Sequence, residues 1–326
     1  MQSGTPTGQQ DDVDDQAEQL LPDAWREMIA QIGDDEGYWE PLGNRHAAFF
    51  ADAGQGTLLV SFEDGHAIRE SGESQLPEAL RVARKHGWSC LTLIAEGETW
   101  WRDPAVFRFF DRQVDDAFFE DFGRVVFYGS GVAGYAAAAY SVAAPGATVL
   151  TLAPRATMDA RVREWDHRHP VARRLDFAGR YAFAPDMTEG AGQTFVAYDP
   201  TEAADAMHAS LFQRPWATFL RMRRLGGRPE VALRRMGILD DLIVAAAEGT
   251  LTPLRFAQML RVRRSYAPYL KRLLSINANA ESIWREAMVC RSVVRRLRGP
   301  AFIKRLAELE RMQPGIAGAA PAPGQD

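Results

Sequence analysis

Cysteine is nearly missing from this chain: its 326 residues hold two, Cys90 and Cys290. Two thiols exclude a disulfide framework. Cys90 sits in a strand-like apolar run and Cys290 in a helical one, so both read as small buried hydrophobes of a reducing, cytoplasmic compartment. Histidine is scarce as well, with six residues and none after His208. The first twenty residues carry Asp11, Asp12, Asp14, Asp15 and Glu18 but no basic stretch and no cleavable apolar core, so no secretion signal is expected. Residues 125–154 contain no charge, enough to raise the question of a membrane span. Gly129, Gly131, Gly134 and Pro145-Gly146 interrupt that stretch, and its ends are β-branched, as in a buried β-α-β unit. No internal repeat is visible. The run Asp166-His167-Arg168-His169 is too irregular for a metal site, and no cofactor is expected.

What is present suffices for a core: 46% of the residues are hydrophobic and 25% charged, which suits one large domain or a domain with a helical annex. The net charge of −5 conceals an asymmetry. Residues 1–220 carry 18 Lys+Arg against 34 Asp+Glu, whereas residues 221–305 carry 19 against 6. Two readings stand side by side. The basic part neutralises an acidic domain within one chain, or residues 221–305 present a face to an anionic ligand or a polyanionic or acidic protein partner. The arginines are densest in Arg261-Val262-Arg263-Arg264 and Arg295-Arg296-Leu297-Arg298, with few aromatics among them and no nucleic-acid motif.

Hydrophobic periodicity and turn residues divide the chain into an acidic, disordered arm (1–20), an α/β core (21–228), a basic helical annex (229–312) and a flexible Pro/Gly/Ala tail (313–326). Within the core the pattern predicts a helix at 22–32 and an antiparallel hairpin of 46–50 with 57–62 around Gly54-Gln55-Gly56. A helix at 77–86, a strand at 89–95 and a helix at 104–122 follow, the last with Asp103 as N-cap and Pro104 in the first turn. Strands at 124–128, 148–152, 194–198 and 217–221 then alternate with helices at 132–143, 158–166 and 201–212. Such alternation implies right-handed crossovers and a mostly parallel sheet with helices on both faces.

The chemistry-bearing motif is Tyr128-Gly129-Ser130-Gly131-Val132-Ala133-Gly134, between a strand and a helix. Gly129, Gly131 and Gly134 spell G-x-G-x-x-G, the dinucleotide turn, but the next strand ends Leu152-Ala153-Pro154-Arg155 without the acid that grips a ribose; Arg155 could instead meet a 2′-phosphate. The same residues also fit a nucleophile elbow with Gly129 and Ala133 as its small flanks. Phe127-Tyr128-Gly129-Ser130 and Gly134-Tyr135-Ala136-Ala137 resemble the F-Y-G-S-S-M-G-G-Y-A-A-L elbow of α/β-hydrolase-like, esterase-like proteins of polysaccharide and accessory-secretion systems. That resemblance implies an α/β-hydrolase-like fold with the nucleophile at the second serine, where this chain has Gly131. It implies an acid at Asp199 and a histidine near Arg228. The core and the Thr99-Trp100-Trp101-Arg102-Asp103-Pro104 segment also resemble alphaproteobacterial proteins labelled phosphoadenosine phosphosulfate reductase. Such reductases need an acidic residue in the glycine loop and a cysteine in E-C-G-[LI]-H, and neither is here.

Nucleophile and base are therefore both missing from a hydrolase frame (Ser130, Gly131, Asp199, Arg228). The expectation is a catalytically degenerate member that binds a ligand or partner. Gly129, Ser130, Gly131, Gly134, Trp100, Trp101 and Arg102 are the candidates for lining a pocket. His208, one turn from Asp205, reads as a helix-face partner of that acid. The alternative is an enzyme, either a nucleotide-dependent reductase or an unconventional hydrolase.

Overall fold

The computed structural model describes residues 22–71, 74–280, 282–297 and 299–316. The arm at 1–20, Arg298 and most of the tail at 313–326 lie outside them. Eight strands form one sheet: β1 (Gly37–Leu42), β2 (His46–Ala51), β3 (Thr57–Asp64), β4 (Ser89–Ala95), β5 (Arg124–Ser130), β6 (Thr148–Leu152), β7 (Gln193–Tyr198) and β8 (Ala217–Arg221). Their order is β1-β2-β4-β3-β5-β6-β7-β8. β2 runs antiparallel to both β1 and β4, and every other pairing is parallel. The fold is α/β, a mostly parallel sheet with helices on both faces and a helical C-terminal region.

Burial explains the centre of this order. β2 and β4 are buried along their whole length and β3 along its first six residues, as expected of strands covered on both faces. Alternation then sorts their side chains into two cores. Leu58, Val60, Phe62, Leu91, Leu93 and Phe127 join the helices Pro104–Asp115 and Val132–Tyr140 on one face. Leu59, Cys90, Ile94, Val126 and Tyr128 join the helices Pro22–Glu36, Glu78–His86 and Leu239–Ala247 on the other. From Ala267 onward, the helices Ala267–Asn279, Ile283–Arg296 and Pro300–Met312 close over small clusters of their own, around Cys290 and around Ala287.

Three expectations are corrected. The hairpin is β1–β2 and not 46–50 with 57–62, because β4 lies between β2 and β3. The Gly54–Gly56 loop instead meets the start of β5, Gln55 and Gly56 carbonyls accepting from the Gly123 and Arg124 N–H groups. The helix at 104–122 stops at Asp115, since Ala117 takes a left-handed turn (φ 54°) before a short 3₁₀ turn at Phe118–Asp121. Asp103 does cap that helix, accepting from the Ala105 N–H. The segment 158–166 forms turns and no helix. There Asp159 bonds the Arg161 N–H while the Arg163 guanidinium takes the Met158 and Asp166 carbonyls, so side chains satisfy the backbone that a helix would have used.

Candidate functional site

The carboxyl ends of β3 and β5 lie side by side, and their chains leave in opposite directions, towards β4 and β6. That divergence opens a crevice at the place where α/β sheets hold ligands. Gly131 turns the chain there from β5 into helix Val132–Tyr140, with φ 61° and ψ −115°. A Cβ added to Gly131 would meet nothing within 4 Å, so the apex is open, and its glycine relieves the strain that any other residue would bear. Gly129 serves packing: a Cβ on it would lie 2.2 Å from the Ala133 carbonyl oxygen. Gly134 is pressed between the Gly129 carbonyl and Pro154, each 3.2 Å from an added Cβ.

These contacts leave little for a dinucleotide. The Gly131 N–H already donates to the Leu152 carbonyl, 2.8 Å away. Arg155 is buried, its guanidinium held by the Asp205 carboxylate, the Ala153 carbonyl and His169, so it cannot meet a 2′-phosphate. Neither cysteine offers a thiolate, since burial pushes Cys90 up to about 12 and Cys290 up to about 11. Among the described residues no cluster of side chains has the make-up of a metal site.

Asp199, which the resemblance puts in the place of an acid, is bound up with the backbone. Asp199 follows β7 and is buried. Its Oδ1 accepts from the Thr201 N–H and hydroxyl and from the Arg224 N–H, and its Oδ2 accepts from the Gly226 N–H at 2.8 Å. Burial opposes its ionisation, but these four bonds outweigh it and hold the carboxyl below the ordinary range. Asp199 thus clamps the loop after β8. No hydrogen bond or ion pair joins Arg228 to Asp199, both of whose oxygens are taken by the Thr201, Arg224 and Gly226 N–H groups and the Thr201 hydroxyl. Arg228 is exposed and turns to the crevice.

His208 is equally committed. It pairs with Asp166 and not with Asp205. Its Nε2–H donates to Asp166 Oδ2 at 2.9 Å and its Nδ1 accepts from the Ala156 N–H. Burial keeps it neutral, lowering its pKa against the pull of Asp166. Asp205 binds Arg155 and Arg168 instead. This buried cluster fastens the 153–192 segment to helix Ala203–Leu211.

The crevice encloses about 630 Å³. Gly129, Ser130 and Arg228 line it, together with Trp100 and Trp101. Both tryptophans are buried and form its wall, in left-handed backbone (φ 59° and 53°). The Trp101 indole donates to the Leu93 carbonyl, and Trp100 packs edge-on against Tyr135 and Phe177. Arg102 lies apart from the crevice, with its guanidinium on the Tyr135 hydroxyl and over the Phe177 ring. Sequence reasoning missed a set of charged groups that share the lining: Glu63, Glu78, Arg81, Glu230 and Arg234. Glu63 caps helix Glu78–His86 through the Glu78 and Ala79 N–H groups, yet burial pushes its carboxyl up to about 7. Arg81 and Arg234 are neutralised by Glu78, and Arg234 also by Glu230. Arg228 has no carboxylate partner among the described residues. Only the end of a strand rich in acids (Phe62-Glu63-Asp64) could have signalled this group.

No family model matches the chain, and no curated protein does. Solved structures are similar to it at low identity and with TM-scores under 0.5. A carboxyl esterase from the mycorrhizal fungus Tuber melanosporum is 13% identical, with 69% of this chain and 83% of that one covered and a TM-score of 0.41. EstE5-PMSF is 13% identical over 78% of this chain and 94% of its own, with a TM-score of 0.45. A hyperthermophilic esterase from the archaeon Pyrobaculum calidifontis is 13% identical over 74% and 95%, with a TM-score of 0.43. These likenesses concern the fold and say nothing of the chemistry.

Proposed function

We propose that this chain is a hydrolase-fold protein without hydrolase chemistry, which uses the crevice beside Gly131 to bind a small ligand bearing an anionic group. One observation carries the reading: the residue at the open apex of the turn has no side chain. A nucleophile needs a hydroxyl or thiol there and a base within hydrogen-bond reach. No histidine follows His208, and His208 is saturated inside another cluster. Arg228 supplies the ligand contact, being a guanidinium at the rim that no carboxylate neutralises, and guanidinium groups suit carboxylates and phosphates.

The enzyme alternative keeps two footholds. The Ser130 hydroxyl lines the crevice. Thr99, also in its wall, has its Oγ1 2.7 Å from His46 Nε2. That histidine is a poor base, with burial pulling its pKa down to about 4 against the charge of Asp103. The test of the binding reading is thermal stabilisation by a panel of small carboxylates and phosphate esters. At least one class should raise the melting temperature of the wild type, and Arg228→Gln should abolish the rise without changing the unliganded value. A panel that stabilises both proteins equally would refute the role of Arg228.

A further inference from the structure

Part of the positive charge of residues 221–305 stands without a carboxylate partner among the described residues. Among the described residues, carboxylates neutralise Arg234, Arg272 and Arg305. Arg261, Arg263, Arg264, Arg295 and Arg296 have no carboxylate partner there. Three of those five converge. Arg263, Arg264 and Arg296 line one cleft of about 420 Å³ between the turn Leu260–Ser265 and the helices Ala267–Asn279 and Ile283–Arg296. Its remaining lining is largely aliphatic, with Leu270, Leu273, Met288 and Val289.

Backbone carbonyls orient two of these cations without neutralising them. Arg263 donates to the Arg223 carbonyl and lies 5.3 Å over the Tyr269 ring, and Arg296 donates to the Ser292 and Arg264 carbonyls. Fixed guanidinium groups at the mouth of an aliphatic slot select a ligand with an anionic head and an apolar body. A single-stranded nucleic acid would want aromatic platforms, and the one aromatic lining the cleft, Tyr269, is already covered by Arg263.

We propose that this cleft seats an anionic phospholipid at a bilayer surface. The phosphate head lies between Arg263, Arg264 and Arg296, and the first acyl carbons lie on the Leu270–Met288 floor. The cleft shares no lining residue with the crevice at Gly131, so this inference stands whether or not that crevice binds a ligand.

The test is sedimentation of the full chain with vesicles of phosphatidylcholine alone, or of phosphatidylcholine mixed with phosphatidylglycerol, at low salt. The wild type should pellet with the mixed vesicles alone. The triple variant Arg263→Gln, Arg264→Gln, Arg296→Gln should lose on the order of 100-fold in partitioning. Should that variant no longer melt cooperatively, Arg264→Gln alone, an exposed side chain, should still lose about fivefold. Met288→Ser separates lipid from a soluble polyanion: it should weaken vesicle binding and leave retention on heparin unchanged. Failure of the wild type to pellet with mixed vesicles overturns the proposal, as does wild-type binding by the arginine variants. Retention on heparin without vesicle binding does so too, by assigning the cleft to a soluble polyanion, and so does vesicle binding by Met288→Ser at the wild-type level.

Discussion

Glycines 129 and 131 share one turn and do different things, which fixes what each substitution should cost. Gly131→Ala adds a methyl group to open space at φ 61°, so only backbone strain is charged, about 1–3 kcal/mol. Gly129→Ala drives a methyl to 2.2 Å from the Ala133 carbonyl and forces helix Val132–Tyr140 off the sheet, so it should cost more and yield little soluble protein. Urea unfolding of the two variants checks that order. Glu63 gives the site a pH dependence. Its carboxyl, raised by burial from 4.5 to about 7, favours the folded state when protonated. Its contribution is therefore complete below about pH 4.5 and is lost as the pH rises through about 7. The wild type should lose stability across that window by more than Glu63→Gln does. Equal slopes in urea midpoints between pH 4.5 and 7 would remove Glu63 from the account.

At the level of elements, strands β4, β6 and β8 and the turn after β5 were legible in the sequence, because apolar β-branched runs bounded by Gly, Pro and Ser admit few other readings. β1 was not. Its Gly37-Tyr38-Trp39-Glu40-Pro41-Leu42 has a proline and an acid, which an edge strand tolerates and a sequence pattern does not reveal. With β1 unseen, β2 had no partner but β3, and the hairpin was misassigned. The segment after β6 failed for another reason. Its polar residues looked like a helix face, whereas Asp166, Arg168 and Arg155 are drawn into a buried cluster with Asp205 and His208, far away in sequence. That cluster should be costly to break. Asp205→Ala leaves the buried Arg155 without its carboxylate, although Arg168 keeps Asp166, and should destabilise by about 3–5 kcal/mol. A loss under about 1 kcal/mol would mean that the exposed part of Arg168 finds water instead.

Across the whole molecule, the frame is a sheet whose central strands are buried on both faces. The frame was readable from the alternation of strands and helices. Gly131 at the turn and the lack of histidine after His208, on which the proposed function rests, were readable too. The use of Asp199 was not, since its bonds run to backbone N–H groups of a loop 25 and more residues away. No helix among the described residues is long and apolar enough to cross a membrane. The most direct measurement of the central claim is labelling of the wild-type protein by a fluorophosphonate probe, read by intact mass and peptide mapping, beside turnover of short-chain p-nitrophenyl esters. The account predicts an unmodified mass and ester turnover no higher than that of Ser130→Ala. A stoichiometric adduct on Ser130 or Thr99 would contradict it.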